Sequence, residues 1–328
     1  MKKDIYIFSS GTLQREADTL CLARDTDKKF IPVSNVSSIF VFGEITLNKR
    51  LLEFLTANQI PIHFYNYYGF YIGTFYPRIH YNSGFLTLKQ SEYYLDRKKR
   101  LSLAKKFVEG GLNNMLRNLK YYENRKGGLS NIIEILEKGS EKIPYAESTE
   151  ELMAIEGEAR KNYYQAFNVI IENPEFRFES REKRPPKHYL DALIGFGNSL
   201  LYVTILAEIY KTHLDPRIGF LHSTNFRKFS LNLDVSEVFK PIIVDRTIFS
   251  VINKNIIDSR CFIKELEGVY LNHKGRIEFV KKFNEKLLQT INIDNRKTSY
   301  RRLIRIELYK LEKHLIGEKE YFPFLARW

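Results

Sequence analysis

An α+β protein in two domains is what this sequence predicts, and three observations carry the prediction. At 328 residues the chain exceeds the size at which one hydrophobic core usually stops growing. Up to about residue 85 it is built of short β-branched and aromatic runs broken by Gly, Asn or Asp, the mark of strands and turns. From about Leu88 the apolar period lengthens from two residues to near 3.6, the mark of helices. The domains are accordingly expected at 1–86, rich in strand, and at 87–328, helical.

In the first part, strands are expected at Ile5–Phe8, Thr19–Leu22, Ser38–Phe42, Ile62–Tyr65 and Gly69–Phe75. One helix interrupts them: Leu47, Leu51, Phe54 and Leu55 share a face over 47–57, and Asn58 is a stop signal. In the second part Leu95, Leu101, Leu103, Phe107 and Leu112 begin a long amphipathic pattern. Further helices are expected near 114–124, 130–138, 147–172, 188–213, 237–254, 276–290 and 296–316. The stretch Asn173–Lys187 is polar, holds three of the ten prolines and reads as an exposed loop.

Fifty-two Lys and Arg against 39 Asp and Glu give a net charge of +13, which points to an anionic partner, nucleic acid before membrane surface. The excess is uneven: nine basic against seven acidic residues up to residue 85, then 43 against 32. Cys21 and Cys261 are the two cysteines, too few for a zinc spacing or a disulfide framework, and they suit a reducing cytoplasm. The N-terminus lacks a signal-peptide pattern, and the uncharged run Ile60–Pro77 is too broken by polar residues, Gly and Pro for a membrane span. There is no glycine-rich phosphate loop, no paired Cys and no Gly-x-Ser-x-Gly elbow.

Four residues remain as candidates for chemistry: Glu156, His222, Asp234 and Glu237. Carboxylates with one imidazole suit Mg²⁺ or Mn²⁺. Each also has a plainer reading. Glu156 can pair with Arg160 at i+4 for ~0.3 kcal/mol, although the neighbouring Gly157, costly inside a helix, suggests close approach of a backbone or ligand. His222 can be a core-edge histidine. Asp234 followed by Glu237 mimics a capping box, with Asp234 capping a helix and Glu237 in its first turn. Among the basic residues, Arg97, Lys98 and Arg100 sit in one cluster, and Arg296, Lys297, Arg301 and Arg305 in another. Lys297, Arg301 and Arg305 are expected on one helical face, either as a solvated surface or as a phosphate track.

At these residues the chain strongly resembles the CRISPR-associated spacer-acquisition integrases, the first protein of the Cas series. The likeness runs through Ile39-Phe-Val-Phe-Gly43, Tyr68-Gly-Phe-Tyr-Ile-Gly73, Ile155-Glu-Gly157, Gly197-Asn-Ser-Leu-Leu-Tyr202, Gly219-Phe-Leu-His222 and Phe229–Arg246. The resemblance implies an N-terminal β-sandwich, an all-α catalytic domain and a homodimer formed through the N-terminal parts. It makes Glu156, His222 and Glu237 the metal ligands, binding Mg²⁺ or Mn²⁺, and Asp234 an additional acid of the site. Several relatives carry Asp at the position of Glu237, whose reach is longer by one methylene.

The implied activity is insertion of new spacer DNA into a CRISPR repeat array, a 3′-hydroxyl attacking a repeat phosphodiester, with endonuclease activity from the same centre in antiviral defence. The implied partners are double-stranded DNA and the small second adaptation protein, in a heterohexamer. Arg97, Lys98, Arg100, Arg160, Arg296, Lys297, Arg301 and Arg305 are expected to contribute to the DNA track. The competing expectation is a stand-alone metal-dependent nuclease or resolvase acting on branched DNA.

Overall fold

The structure, a computed structural model, describes residues 2–24, 27–78, 81, 83–182, 185–223, 229–265, 268–293 and 295–327. Two compact units divide the chain, Met1–Tyr81 and Asn82–Trp328. The second begins where Ser83 caps the first of its helices by accepting the Leu86 amide.

The N-terminal unit holds two four-stranded sheets. One has the order β1 (Lys3–Ile7), β5 (Val36–Val41), β7 (Ile62–Tyr65), β8 (Tyr71–Phe75), parallel except for the β7–β8 hairpin. The other runs β4 (Lys28–Pro32), β3 (Thr19–Ala23), β2 (Gly11–Glu16), β6 (Ile45–Leu47). Leu13, Leu20 and Leu22 of the second sheet share one apolar core with Ile7, Val36, Ile39, Val41 and Ile62 of the first. The helix α1 (Lys49–Ala57) adds Leu51, Phe54 and Leu55 to that core. Asn48 caps it by accepting the Leu51 amide at 2.9 Å, and Asn58 ends it; Leu47, expected inside the helix, closes β6 instead.

Three strands were not expected. β2 buries only Leu13, while β4 and β6 lie at sheet edges with no buried residue, so none has an alternating pattern strong enough to read.

The C-terminal unit is mainly helical. Its helices are α2 (Gly84–Leu95), α3 (Arg97–Lys126), α4 (Ser130–Lys142), α5 (Thr149–Gln165), α6 (Phe167–Ile170), α7 (Tyr189–Ile209), α8 (Leu231–Lys240), α9 (Arg246–Asn253), α10 (His273–Leu288) and α11 (Tyr300–Leu315). Two features depart from the expected all-α domain: the hairpins β9 (Phe262–Glu265)–β10 (Gly268–Leu271) and β11 (Thr290–Ile293)–β12 (Arg296–Ser299). Lys297 therefore sits on a strand, and does not share a helical face with Arg301 and Arg305. The helix expected at 237–254 begins earlier, at Leu231, and passes through a π-helical turn, Pro241–Asp245, before α9.

Helix α3 is one rod of 30 residues, and Gly111 at its middle explains how α8 lies against it: a Cβ there would come within 3.1 Å of the Glu237 carbonyl oxygen. The segment after α11 runs back over α3. Glu307 accepts the Tyr321 hydroxyl and the Phe324 amide, both at 2.8 Å, while Asn114 of α3 donates to the Phe324 carbonyl and accepts from the Ala326 amide. Helix α7 is long and apolar enough to cross a membrane, with mean hydropathy 1.6, yet 78% of that stretch is buried inside the unit, where it forms the core. The Asn173–Lys187 stretch is also tied down rather than exposed throughout: Phe176 and Phe178 are buried, and Arg181 reaches Asp191 at 2.8 Å. Lys183 and Arg184 of that stretch lie outside the described residues.

Candidate functional site

Asp234 organises one side of the site. It is fully buried on α8 and is not the helix cap that its spacing to Glu237 suggested, because α8 starts at Leu231 and Ser230 holds the cap position. Its Oδ2 accepts the Phe220 and Leu221 amides at 2.5 and 3.0 Å, and its Oδ1 accepts the His222 amide at 3.0 Å and His222 Nδ1 at 2.8 Å. A carboxylate already taking three N–H donors can only accept, so Nδ1 donates its N–H to Asp234 and Nε2 is left clear of that carboxylate. Gly219 makes the grip possible: a Cβ there would stand 2.8 Å from both Asp234 Oδ2 and the Ser230 carbonyl carbon.

The loop is held from α2 and α3 as well. Gln90 accepts the Asp215 amide at 2.7 Å and donates to the Asp215 and Ile218 carbonyls. Arg100, its guanidinium 4.3 Å from the Tyr94 ring centre, donates Nε–H to the Phe220 carbonyl at 2.9 Å.

Arg160 organises the other side. From α5 its Nε donates to Glu156 Oε1 and its Nη2 to Glu237 Oε2, each at 2.5 Å, so one guanidinium joins the two carboxylates. Lys240 donates to Glu237 Oε1 at 2.5 Å, one helical turn along α8, with its ammonium 5.1 Å from the Tyr202 ring centre. All three partners of Glu237 matter to its charge: burial opposes ionisation, but Lys240, Arg160 and His222 outweigh it and hold the carboxyl well below the usual range. Asp245 shows the opposite balance. Burial pushes it up to about 7, against the pull of Arg160 and Tyr163.

Glu156, Glu237 and His222 are thus brought to one electrostatic neighbourhood, with Asp234 behind His222 as its orienting acid. Among the described residues no three His, Cys, Asp or Glu side chains stand as a ready metal cluster. The donor chemistry still fits a hard divalent ion: two carboxylates, each oxygen with more than one lone pair, and an imidazole whose Nε2 is not committed to Asp234. Gly157 has open space where a Cβ would be, so no backbone approaches it and the expected reason for a glycine is not found in the chain itself.

The basic candidates separate into two groups. Arg97 and Lys98 on the first turn of α3, and Arg296 and Lys297 on β12, are exposed. Arg160 is buried between acids, and Arg100 is spent on the loop. Arg301 and Arg305 converge with Lys211 on the fully buried Glu208, at 3.0, 2.6 and 2.9 Å, and hold that carboxyl down at about 2 although burial opposes it. These four are structural cations first. Sequence reasoning missed Lys240, Asp245 and Gln90; only Lys240 gave a signal, as an i+3 partner of Glu237.

Fold and site define a class of protein: a strand-rich N-terminal unit, a mainly helical C-terminal unit, and within the latter an acid–imidazole site with its own internal cations. The sequence model of the family described as "CRISPR associated protein Cas1" matches residues 5–285, and the chain belongs to that family. It is 54% identical to "CRISPR-associated endonuclease Cas1 2" of Thermodesulfovibrio yellowstonii, over 100% of both chains. A solved Cas1 protein of Thermotoga maritima is similar at 48% identity with a TM-score of 0.89, covering 98% of this chain and 99% of that one. A casposase bound to its integration product shares the fold at a TM-score of 0.87 and 21% identity, covering 99% and 94%.

Proposed function

We propose that this chain is the integrase of CRISPR adaptation, a metal-dependent DNA endonuclease and transesterase that joins spacer DNA to a repeat array. Glu156, His222 Nε2 and Glu237 would hold Mg²⁺ or Mn²⁺. That ion supplies polarisation of a phosphoryl oxygen and charge for the pentavalent transition state. The chain's own contribution is preorganisation: Asp234 fixes the His222 tautomer, Arg160 spaces Glu156 against Glu237, and Lys240 keeps Glu237 ionised. The Asp234 grip on His222 is the observation that carries the reading, because a fully buried carboxylate spending four bonds on one loop secures a histidine for use. The fold shared with a casposase bound to integration product supports joining beside the endonuclease activity that the relatives' names carry.

Double-stranded DNA and the small second adaptation protein are the proposed partners, with Arg97, Lys98, Arg296 and Lys297 facing the DNA. The N-terminal unit is the proposed dimerisation domain: Tyr67, Phe70 and Ile72, on and beside the edge strand β8, are exposed at 58%, 38% and 63%. The test supplies a supercoiled repeat plasmid with donor duplexes bearing free or blocked 3′ ends. Joining should require both the free hydroxyl and Glu156, so that Glu156→Gln joins nothing. Equal products from blocked donors would reduce the activity to hydrolysis.

A further inference from the structure

The C-terminal half of α3 bears a cleft of about 330 Å³ lined by Arg117, Lys120, Tyr121, Asn124 and Arg125. Three of these five residues are cations and none is a carboxylate. Lys120 pairs with Glu137 at 2.7 Å, which leaves Arg117 and Arg125 as the cleft's principal positive groups. Tyr121 is the centre of the arrangement: the guanidinium carbons of Arg125 and Arg246 each stand 4.5 Å from its ring centre. An arginine stacked on an aromatic plane keeps its planar fork oriented, so it loses less freedom when it closes on a phosphate.

Positive charge continues behind the ring. Lys286 of α10 is pushed down to about 8 by burial and by the Arg246 charge. The helix dipole accounts for Arg125, in the last turn of α3, but not for Arg117 and Lys120, which lie more than one turn earlier.

We infer that this cleft binds a backbone phosphate of a nucleic acid strand, gripped by Arg117 and Arg125 and held in shape by the Tyr121 ring. The inference rests on the nucleic-acid reading above and adds a contact site to it. Phosphate recognition of this kind carries no base preference.

Anisotropy of a fluorescein-labelled DNA duplex, titrated at several salt concentrations, tests it. Arg117→Gln/Arg125→Gln should weaken binding equally for unrelated sequences and lower the log–log salt slope by about 0.9, the value for one neutralised phosphate. Arg117→Lys/Arg125→Lys should restore the slope, and Tyr121→Leu should weaken binding where Tyr121→Phe does not. An unchanged slope in the double Gln variant overturns the inference. So does an unchanged slope together with loss of inorganic phosphate binding, which would make the cleft a site for the free ion. A parent that binds no DNA would instead sink the nucleic-acid reading itself.

Discussion

Replacing Asp234 by Asn keeps the shape of the side chain and removes one acceptor, which makes it a sharp probe of the site. If the amide nitrogen faced Phe220 and Leu221, two backbone N–H groups would point at a donor, at about 1–3 kcal/mol each. The cheaper solution keeps oxygen toward those amides and turns the nitrogen toward His222. His222 Nδ1 must then accept, so the ring proton moves to Nε2, and only the His222 amide is left without its partner. The expected cost is about 1–3 kcal/mol of stability, a large fraction of the 5–15 kcal/mol typical of folded proteins. The functional cost is greater, because a protonated Nε2 cannot ligate a metal. Nitrogen-15 NMR of the imidazole should show the tautomer switch, urea unfolding the stability loss, and calorimetry a fall in Mn²⁺ affinity of about 10–100-fold. A variant that keeps the Nδ1–H tautomer and the parent's Mn²⁺ affinity would refute the assignment of Asp234 as the orienting acid.

Glu208→Gln leaves Lys211, Arg301 and Arg305 around an uncharged group and should cost about 3–5 kcal/mol in urea unfolding; a loss below ~1 kcal/mol would mean the three cations re-solvate freely. Asp245 holds its proton to about 7 when folded, above its ordinary 3.8, so its contribution to stability is largest below pH ~4 and declines as pH rises to 7. Asp245→Asn should abolish that decline, of order 4 kcal/mol, in unfolding curves collected across the range, and parallel curves for parent and variant would contradict it. Ile72→Lys places a charge on the proposed dimer face and should yield monomers by light scattering at concentrations where the parent is dimeric; an unaffected dimer would move the interface elsewhere.

Much of this architecture is legible in the sequence where a residue's role depends on near neighbours. Asn48, Leu51, Phe54 and Asn58 specify α1 within eleven positions, and the shift to helical period at the second unit is equally local. β4 and β6 escaped notice because an edge strand needs no buried face. Arg296–Arg305 misled for another reason: its cations fit a helix face, but pairing with β11 claims the first four residues as strand. At the site, residue types and spacing suggested the carboxylates and the histidine. The roles of Asp234 and Arg160 depend on contacts 12–14 and 77 residues away in sequence, which spacing does not reveal. The same limit hid Glu208, whose partners Arg301 and Arg305 lie 93 and 97 residues downstream.

The strap that Tyr321, Phe324 and Ala326 lay across α3 has a consequence in time. Pro323 packs where Gly110 leaves room, a Cβ there falling 2.6 Å from it, on the stretch of α3 that supports α8. A nascent chain therefore carries Asp234 and Glu237 before the 321–326 segment that packs on α3 has been made. The N-terminal unit, whose strands all precede residue 76, can be complete long before. The carboxylates of the proposed site are thus made before the segment that braces the helix behind them.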